Sequence, residues 1–114
     1  MSVEIGKKAE DCVADWLEQK GYKVLDRNWR TPFCEIDIVA RRGKVVSFVE
    51  VKYRKSAAYG TGFEYITPDK TRRLRRAATA WVAKNGFTGD YQVDIASVAP
   101  DGGSLSVEYL PNAL

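Results

Sequence analysis

The chain contains no histidine. That absence excludes Ser-His-Asp and Cys-His hydrolases and histidine-bearing zinc sites, so chemistry must rest on carboxylates, lysine and any metal they hold. Cysteine is scarce too: Cys12 and Cys34 cannot build a disulfide framework. Cys12 falls on the apolar side of a predicted helix and Cys34 adjoins a polar hairpin, and both read as free structural thiols. No apolar run approaches the length of a membrane-spanning helix, and the opening Met-Ser-Val-Glu-Ile-Gly-Lys-Lys lacks the apolar core of a signal peptide. A cytoplasmic protein with no membrane partner is expected. There is no internal repeat and no low-complexity tract.

At 114 residues the chain is long enough for one ordinary core and not for two, and a single domain over residues 1–114 is expected. A hydrophobic share of 45% beside 29% charged residues is that of a globular protein. The net charge of +3 conceals an asymmetry: residues 41–76 carry eleven Lys or Arg against three acids, a net of +8. A basic half around a few acids suggests a polyanion brought to a metal site.

Glu50 is joined by two further acids, Glu35 and Asp37, in one stretch. Glu35-Ile-Asp-Ile-Val-Ala, a turn at Arg41-Arg42-Gly43-Lys44, and Val-Val-Ser-Phe-Val-Glu-Val-Lys52 predict a β-hairpin. Period-two alternation puts Glu35 and Asp37 on one face of the first arm and Glu50 and Lys52 on one face of the second. A two-residue loop at Arg42-Gly43 sets Glu35 opposite Glu50, whereas a four-residue loop sets Asp37 opposite Glu50. In either register three carboxylates and one ammonium share a side, and a single-residue slip would separate them. Opposed like charges are destabilising, and a hard cation such as Mg²⁺ would offset them. Charged edge strands that merely discourage pairing give a similar pattern, so spacing leaves both readings open.

The flanking elements read in order. Residues 3–20 form a helix whose stripe is Ile5, Ala9, Cys12, Val13, Trp16 and Leu17, with Glu10 on its border and Gly21 as the stop. Tyr22 to Trp29 is a strand, the hairpin follows, and Ser56 to Gly62 is a loop of small residues and tyrosine. Thr67 and Pro68 are an N-cap and first helical residue for a second helix, which stops at Asn85-Gly86. Leu74, Ala77, Ala78 and Trp81 are its buried stripe; Arg72, Arg75 and Arg76 lie on the other side as candidate phosphate contacts. Lys70 sits in the first turn, where the helix dipole disfavours a cation, on the side facing the sheet. Tyr91 to Val98 and Leu105 to Leu110 are further strands, giving the order αβββαββ of a mixed α/β sandwich.

Gly21-Tyr22 through Arg27-Asn28-Trp29-Arg30, Glu35-Ile36-Asp37-Ile38, Val49-Glu50-Val51-Lys52 and Thr67-Pro68-x-Lys70 together resemble the YraN-like family, predicted endonucleases similar to archaeal Holliday junction resolvases. The resemblance runs from about Gly6 to Val98. It implies the restriction-endonuclease-like αβββαβ core of PD-(D/E)xK nucleases with a C-terminal strand added, and hydrolysis of DNA phosphodiester bonds with Mg²⁺ or Mn²⁺. On that likeness Asp37 and Glu50 are metal-binding acids, Lys52 the catalytic lysine and Glu10 the helix acid that completes the site. Arg54, Lys55, Lys70, Arg72, Arg75 and Arg76 are the expected nucleic-acid contacts. Branched DNA as substrate and a homodimer stay open, as do the roles of Glu35 and Asp94. The chain departs from the pattern at Ile36 for proline, Cys34 and Ala9 for glycine, and Gln92 for arginine. None of these removes a ligand. A nucleic-acid-binding module whose nuclease-like site is not productive, or an interaction domain with surface carboxylates, would share many of the same residues.

Overall fold

Helix α1 (Val3–Gln19) buries Ala9, Val13, Ala14 and Leu17, and Gly21, at φ 89°, ends it in the left-handed region that glycine enters without steric cost. The computed structural model describes residues 3–32, 34–55 and 66–113. Five strands follow the β-branched runs: β1 (Lys23–Arg30), β2 (Glu35–Arg42), β3 (Val45–Tyr53), β4 (Asp90–Asp101) and β5 (Ser104–Leu110). They form one sheet in the order β1-β2-β3-β4-β5, antiparallel throughout except for the parallel pair β3–β4. A parallel neighbour cannot be reached by a tight turn, and α2 (Pro68–Asn85) makes the crossover.

The two helices cover opposite faces. On one, Ala9, Val13, Ala14 and Leu17 meet Ile38, Ala40, Val49, Ala96 and Val98. On the other, Leu74, Ala77, Ala78 and Trp81 meet Ile36, Val39, Val46, Phe48 and Val93, with Trp81 edge-on to Phe48. Each fully buried aliphatic or aromatic side chain contributes roughly 1.5–3 kcal/mol, so these stripes fix where both helices sit. Thr67 caps α2 as expected, its side chain accepting from the Lys70 N–H at 3.1 Å, and Gly86, at φ 62°, closes the other end.

The sandwich order is the expected αβββαββ, with two differences. The hairpin loop is Gly43-Lys44, because Arg42 pairs with Val45 and Ile38 with Val49. Its two residues lie one place further along than Arg42-Gly43, and the ladder runs toward Asp37 opposite Glu50. Strand β4 extends to Asp101 and includes Pro100, since the β3 ladder ends at Val98 and Pro100 is paired only on the β5 side.

Candidate metal centre

The centre forms where β2 and β3 part. Their ladder ends at Ile38–Val49, and beyond it the Val51 N–H is taken by the Asp37 carboxylate, Oδ2 accepting at 2.8 Å. Ile36 and Ile38 pack into opposite cores, so β2 twists across this point. Asp37 is thereby drawn between the layers, Glu35 follows it on β2, and Glu10 arrives from the border of the α1 stripe. One carboxylate oxygen from each of Glu10, Glu35 and Asp37 lies within 4.8 Å of the other two.

Strand β1 supplies the groups that face these acids. Asn28 falls between the Arg27–Ile38 and Trp29–Ile36 pairs, hence opposite Asp37, and its φ is 52°. Its Nδ2 donates to Glu10 Oε1 at 2.8 Å and to Glu35 Oε1 at 3.0 Å. Arg30 Nε donates to Glu35 Oε2 at 2.8 Å, and Arg27 binds Asp11 at 2.6 Å with Glu10 Oε1 4.0 Å away.

Glu50 and Lys52 lie on the side of β3 that carries Phe48 and Val46 toward α2. The Glu50 side chain is 8% exposed; Lys70 Nζ stands 3.7 Å from its Oε1, and its Oε2 has no hydrogen-bond partner among the described residues. Lys70 is thus the dipole-opposed cation held against the carboxylates. Lys52 is half-buried, and its charge helps Lys70 oppose the effect of burial, which still raises the Glu50 pKa. Burial, and then the charge of Glu50, push Asp37 up to about 8, with Glu10 and Glu35 adding and the Val51 N–H opposing.

These shifts make stability depend on pH. Because Asp37 titrates higher in the folded chain than its ordinary 3.8, its stabilising contribution is full below that value and is lost as pH rises toward about 8. Glu50 acts in the same direction. The metal-free protein is expected to melt several degrees lower at about pH 8.5 than at about pH 5.5, each unit of pKa shift being worth about 1.4 kcal/mol. Asp37→Asn should flatten that slope. Thermal melts in chelator that show the same slope for both proteins would assign the dependence to other groups.

Of the expected nucleic-acid contacts, Lys55, Arg72, Arg75 and Arg76 are exposed. Arg72 and Arg73 both reach Asp69, at 3.4 and 3.1 Å. Arg75 lines a cavity of about 270 Å³ with Tyr91, Gln92 and Asn112, while Arg76 and Arg30 line another of about 360 Å³ beside Pro32 and Ala77. Arg54 corrects the sequence expectation. It is buried, its Nη2 is 3.2 Å from Glu108 Oε1, and its N–H extends the sheet to Val98 O at 2.7 Å, so β4 and β5 enclose it. The loop read over Ser56 to Gly62 lies outside the described residues. Asp94 is fully buried away from the carboxylates and accepts from Gln92, the Tyr109 hydroxyl and the Asn112 N–H, which secures the end of β5.

Asn28 is what sequence reasoning missed, whereas Glu35, grouped with the hairpin acids by spacing but left without a role, joins Glu10 and Asp37 here. The available signal was an asparagine inside a predicted strand, a residue depleted there and enriched at positive φ.

Comparison with known proteins gives a consistent set of matches. The family model of the uncharacterised protein family UPF0102 matches residues 9–98. A UPF0102 protein of Renibacterium salmoninarum is 42% identical over 110 residues, spanning 95% of this chain and 93% of its own. Another, from Alkaliphilus metalliredigens, is 38% identical over 114 residues and spans 99% of each chain. Among solved structures, Archaeoglobus fulgidus Hjc, a Holliday junction resolvase, aligns with a TM-score of 0.57 over 90% of this chain and 72% of its own, at 22% identity. At that identity the match concerns the fold, which is restriction-endonuclease-like.

Proposed function

The chain belongs to the uncharacterised protein family UPF0102, the YraN family, and from that premise and the carboxylate geometry we propose that it is a divalent-metal-dependent endonuclease acting on DNA. The observation that carries the reading is the meeting of Glu10 of α1 with Glu35 and Asp37 of β2 in a half-buried cluster, with Glu50 beside them. Grouped like charges cost stability unless a ligand offsets them. Glu50 Oε2, beside Asp37, is a buried oxygen without a hydrogen-bond partner among the described residues. An all-oxygen donor set without imidazole fits a hard ion, Mg²⁺ or Mn²⁺. Glu10, Glu35, Asp37 and Glu50 would hold it. When bound, such an ion acidifies a water and draws off negative charge from a phosphate.

The rest falls to the chain's own residues. Lys52, on the Glu50 side of β3, presents an ammonium to charge that builds on the phosphoryl oxygens as water adds and one P–O bond breaks. Lys70 beside Glu50 and Arg76 beside Arg30 supply cations near the acids, and Lys55, Arg72 and Arg75 are further exposed cations for a DNA backbone. The Arg30–Arg76 hollow is next to Glu35, so a backbone phosphate placed there would lie beside the acids. Residues 1–114 as a single nuclease domain, and a Holliday-junction-like branched substrate, belong to this same reading; Hjc is a resolvase of such junctions.

The test uses the purified protein with linear, flapped and four-way DNA in Mg²⁺, in Mn²⁺ and in chelator. Cleavage that needs the ion, strongest on one of the branched forms, is the expected result. Salt-sensitive binding with no cut product under any of these conditions would replace the enzyme by a binding module.

A further inference from the structure

We propose that Asn28 is the positioning residue of this centre: its side-chain amide, presented by a left-handed backbone, sets Glu10 and Glu35 in the mutual geometry that receives a divalent cation. The inference rests on the metal reading above and deepens it, by assigning the residue that assembles ligands from separate elements.

Three observations support it. First, one NH₂ group reaches both carboxylates, at 2.8 and 3.0 Å, and so ties α1 to β2 through β1. Second, the φ of 52° is unfavourable for most side chains and is adopted inside a strand, where regular pairing would otherwise point residue 28 elsewhere. Third, the bonds distribute in a pattern typical of metal ligands with orienting partners. Glu10 is held through Oε1 by Asn28, Glu35 through both oxygens by Asn28 and Arg30, and Asp37 through Oδ2 by the Val51 N–H. Glu10 Oε2 and Asp37 Oδ1 are not engaged in these bonds. The Glu50 side chain, only 8% exposed and with Oε2 unpartnered among the described residues, lies beside Asp37 and independently points to a ligand at this place.

A different role would give the opposite sign. If the amide served only to offset repulsion between Glu10 and Glu35, its removal would leave more uncompensated charge and the cation would bind more tightly. If it positions them, its removal lets like charges on separate elements move apart and the cation binds more weakly.

Asn28→Gly separates these, because glycine keeps the left-handed backbone and removes only the amide. Calorimetric titration of the full chain with Mn²⁺ is expected to show affinity reduced by about 10- to 100-fold. The indole resonance of Trp81, bonded to Asp26 on the same strand, should stay in place as the check on fold. Affinity that is unchanged or tighter overturns the inference. Should the variant not fold, wild-type protein titrated with Mg²⁺ answers the same question. The Asn28 side-chain amide and the Glu10 and Glu35 carboxyl carbons should shift with one midpoint, and carboxyl shifts without an amide shift overturn the assignment. A wild-type chain that takes up neither ion overturns the metal reading and this inference with it, whereas wild-type binding matched by the glycine variant overturns this inference alone.

Discussion

Asp37→Asn is expected to remove cation-dependent DNA cleavage, by roughly 10²- to 10³-fold or more, while DNA binding stays equal or becomes tighter. The substitution is nearly isosteric, and an amide oxygen can still accept the Val51 N–H that Asp37 Oδ2 now receives at 2.8 Å, so the parting of β2 and β3 is preserved. What changes is charge at the position where the effects of Glu10, Glu35 and Glu50 all meet. Without that charge the remaining carboxylates attract a cation less strongly. A DNA phosphate approaching the site also meets one negative charge fewer, which favours binding by the Coulomb sign. Two assays at fixed salt decide the matter: cleavage, and binding by fluorescence anisotropy. The stabilisation of the wild type by Mn²⁺ in a thermal melt should disappear in the variant as well. Proportional loss of cleavage and binding would mean that Asp37 maintains the DNA-facing surface, and its assignment to the metal would be withdrawn.

Much of this arrangement was open to reading from residues, because period two and helix caps act locally. Thr67-Pro68 and Gly86 bound α2 as read, and alternation along β3 placed Glu50 and Lys52 on one face whatever the loop. Lys70 was also legible, since a cation in the first turn of a helix needs a reason, and the reason is Glu50 at 3.7 Å. The remainder depends on docking. Asn28 joins Glu10 to Glu35 only after α1 has settled on the sheet and β1 has fixed its register with β2, and neither is encoded in spacing. Arg54 sits in a basic run and reads as surface, yet Glu108 on β5 and Val98 on β4 draw it inward. Ile36 breaks the strict alternation of β2 because the strand twists where its ladder with β3 ends. The departures from period two thus gather at the site, where regular pairing has to stop for side chains to meet.

Lys52→Ala should separate catalysis from binding. Lys52 is half-buried, shares the Glu50 face, and makes no ion pair among the described residues, in contrast to Lys70 on Glu50 and to Arg72 and Arg73 on Asp69. An ammonium without such a commitment is available to a phosphate whose charge grows in the transition state, which lowers the barrier more than it strengthens ground-state binding. Turnover is expected to fall by about 10²-fold with DNA affinity changed by only a few-fold. Loss of Lys52 also removes one of the two cations that favour ionised Glu50, so the Glu50 pKa should rise further and residual activity should move to higher pH. The opposite profile is expected when Arg72, Arg75 and Arg76 are replaced together by alanine: weaker binding, near-normal turnover at saturation, and a log-log salt slope shallower by about 0.9 for each phosphate no longer neutralised. Measured side by side on one DNA substrate, the two variants should therefore fail in different parameters. If both lose affinity and turnover in equal proportion, Lys52 acts as part of the same binding surface as the arginines, and the Glu50 side of β3 holds DNA without favouring its transition state.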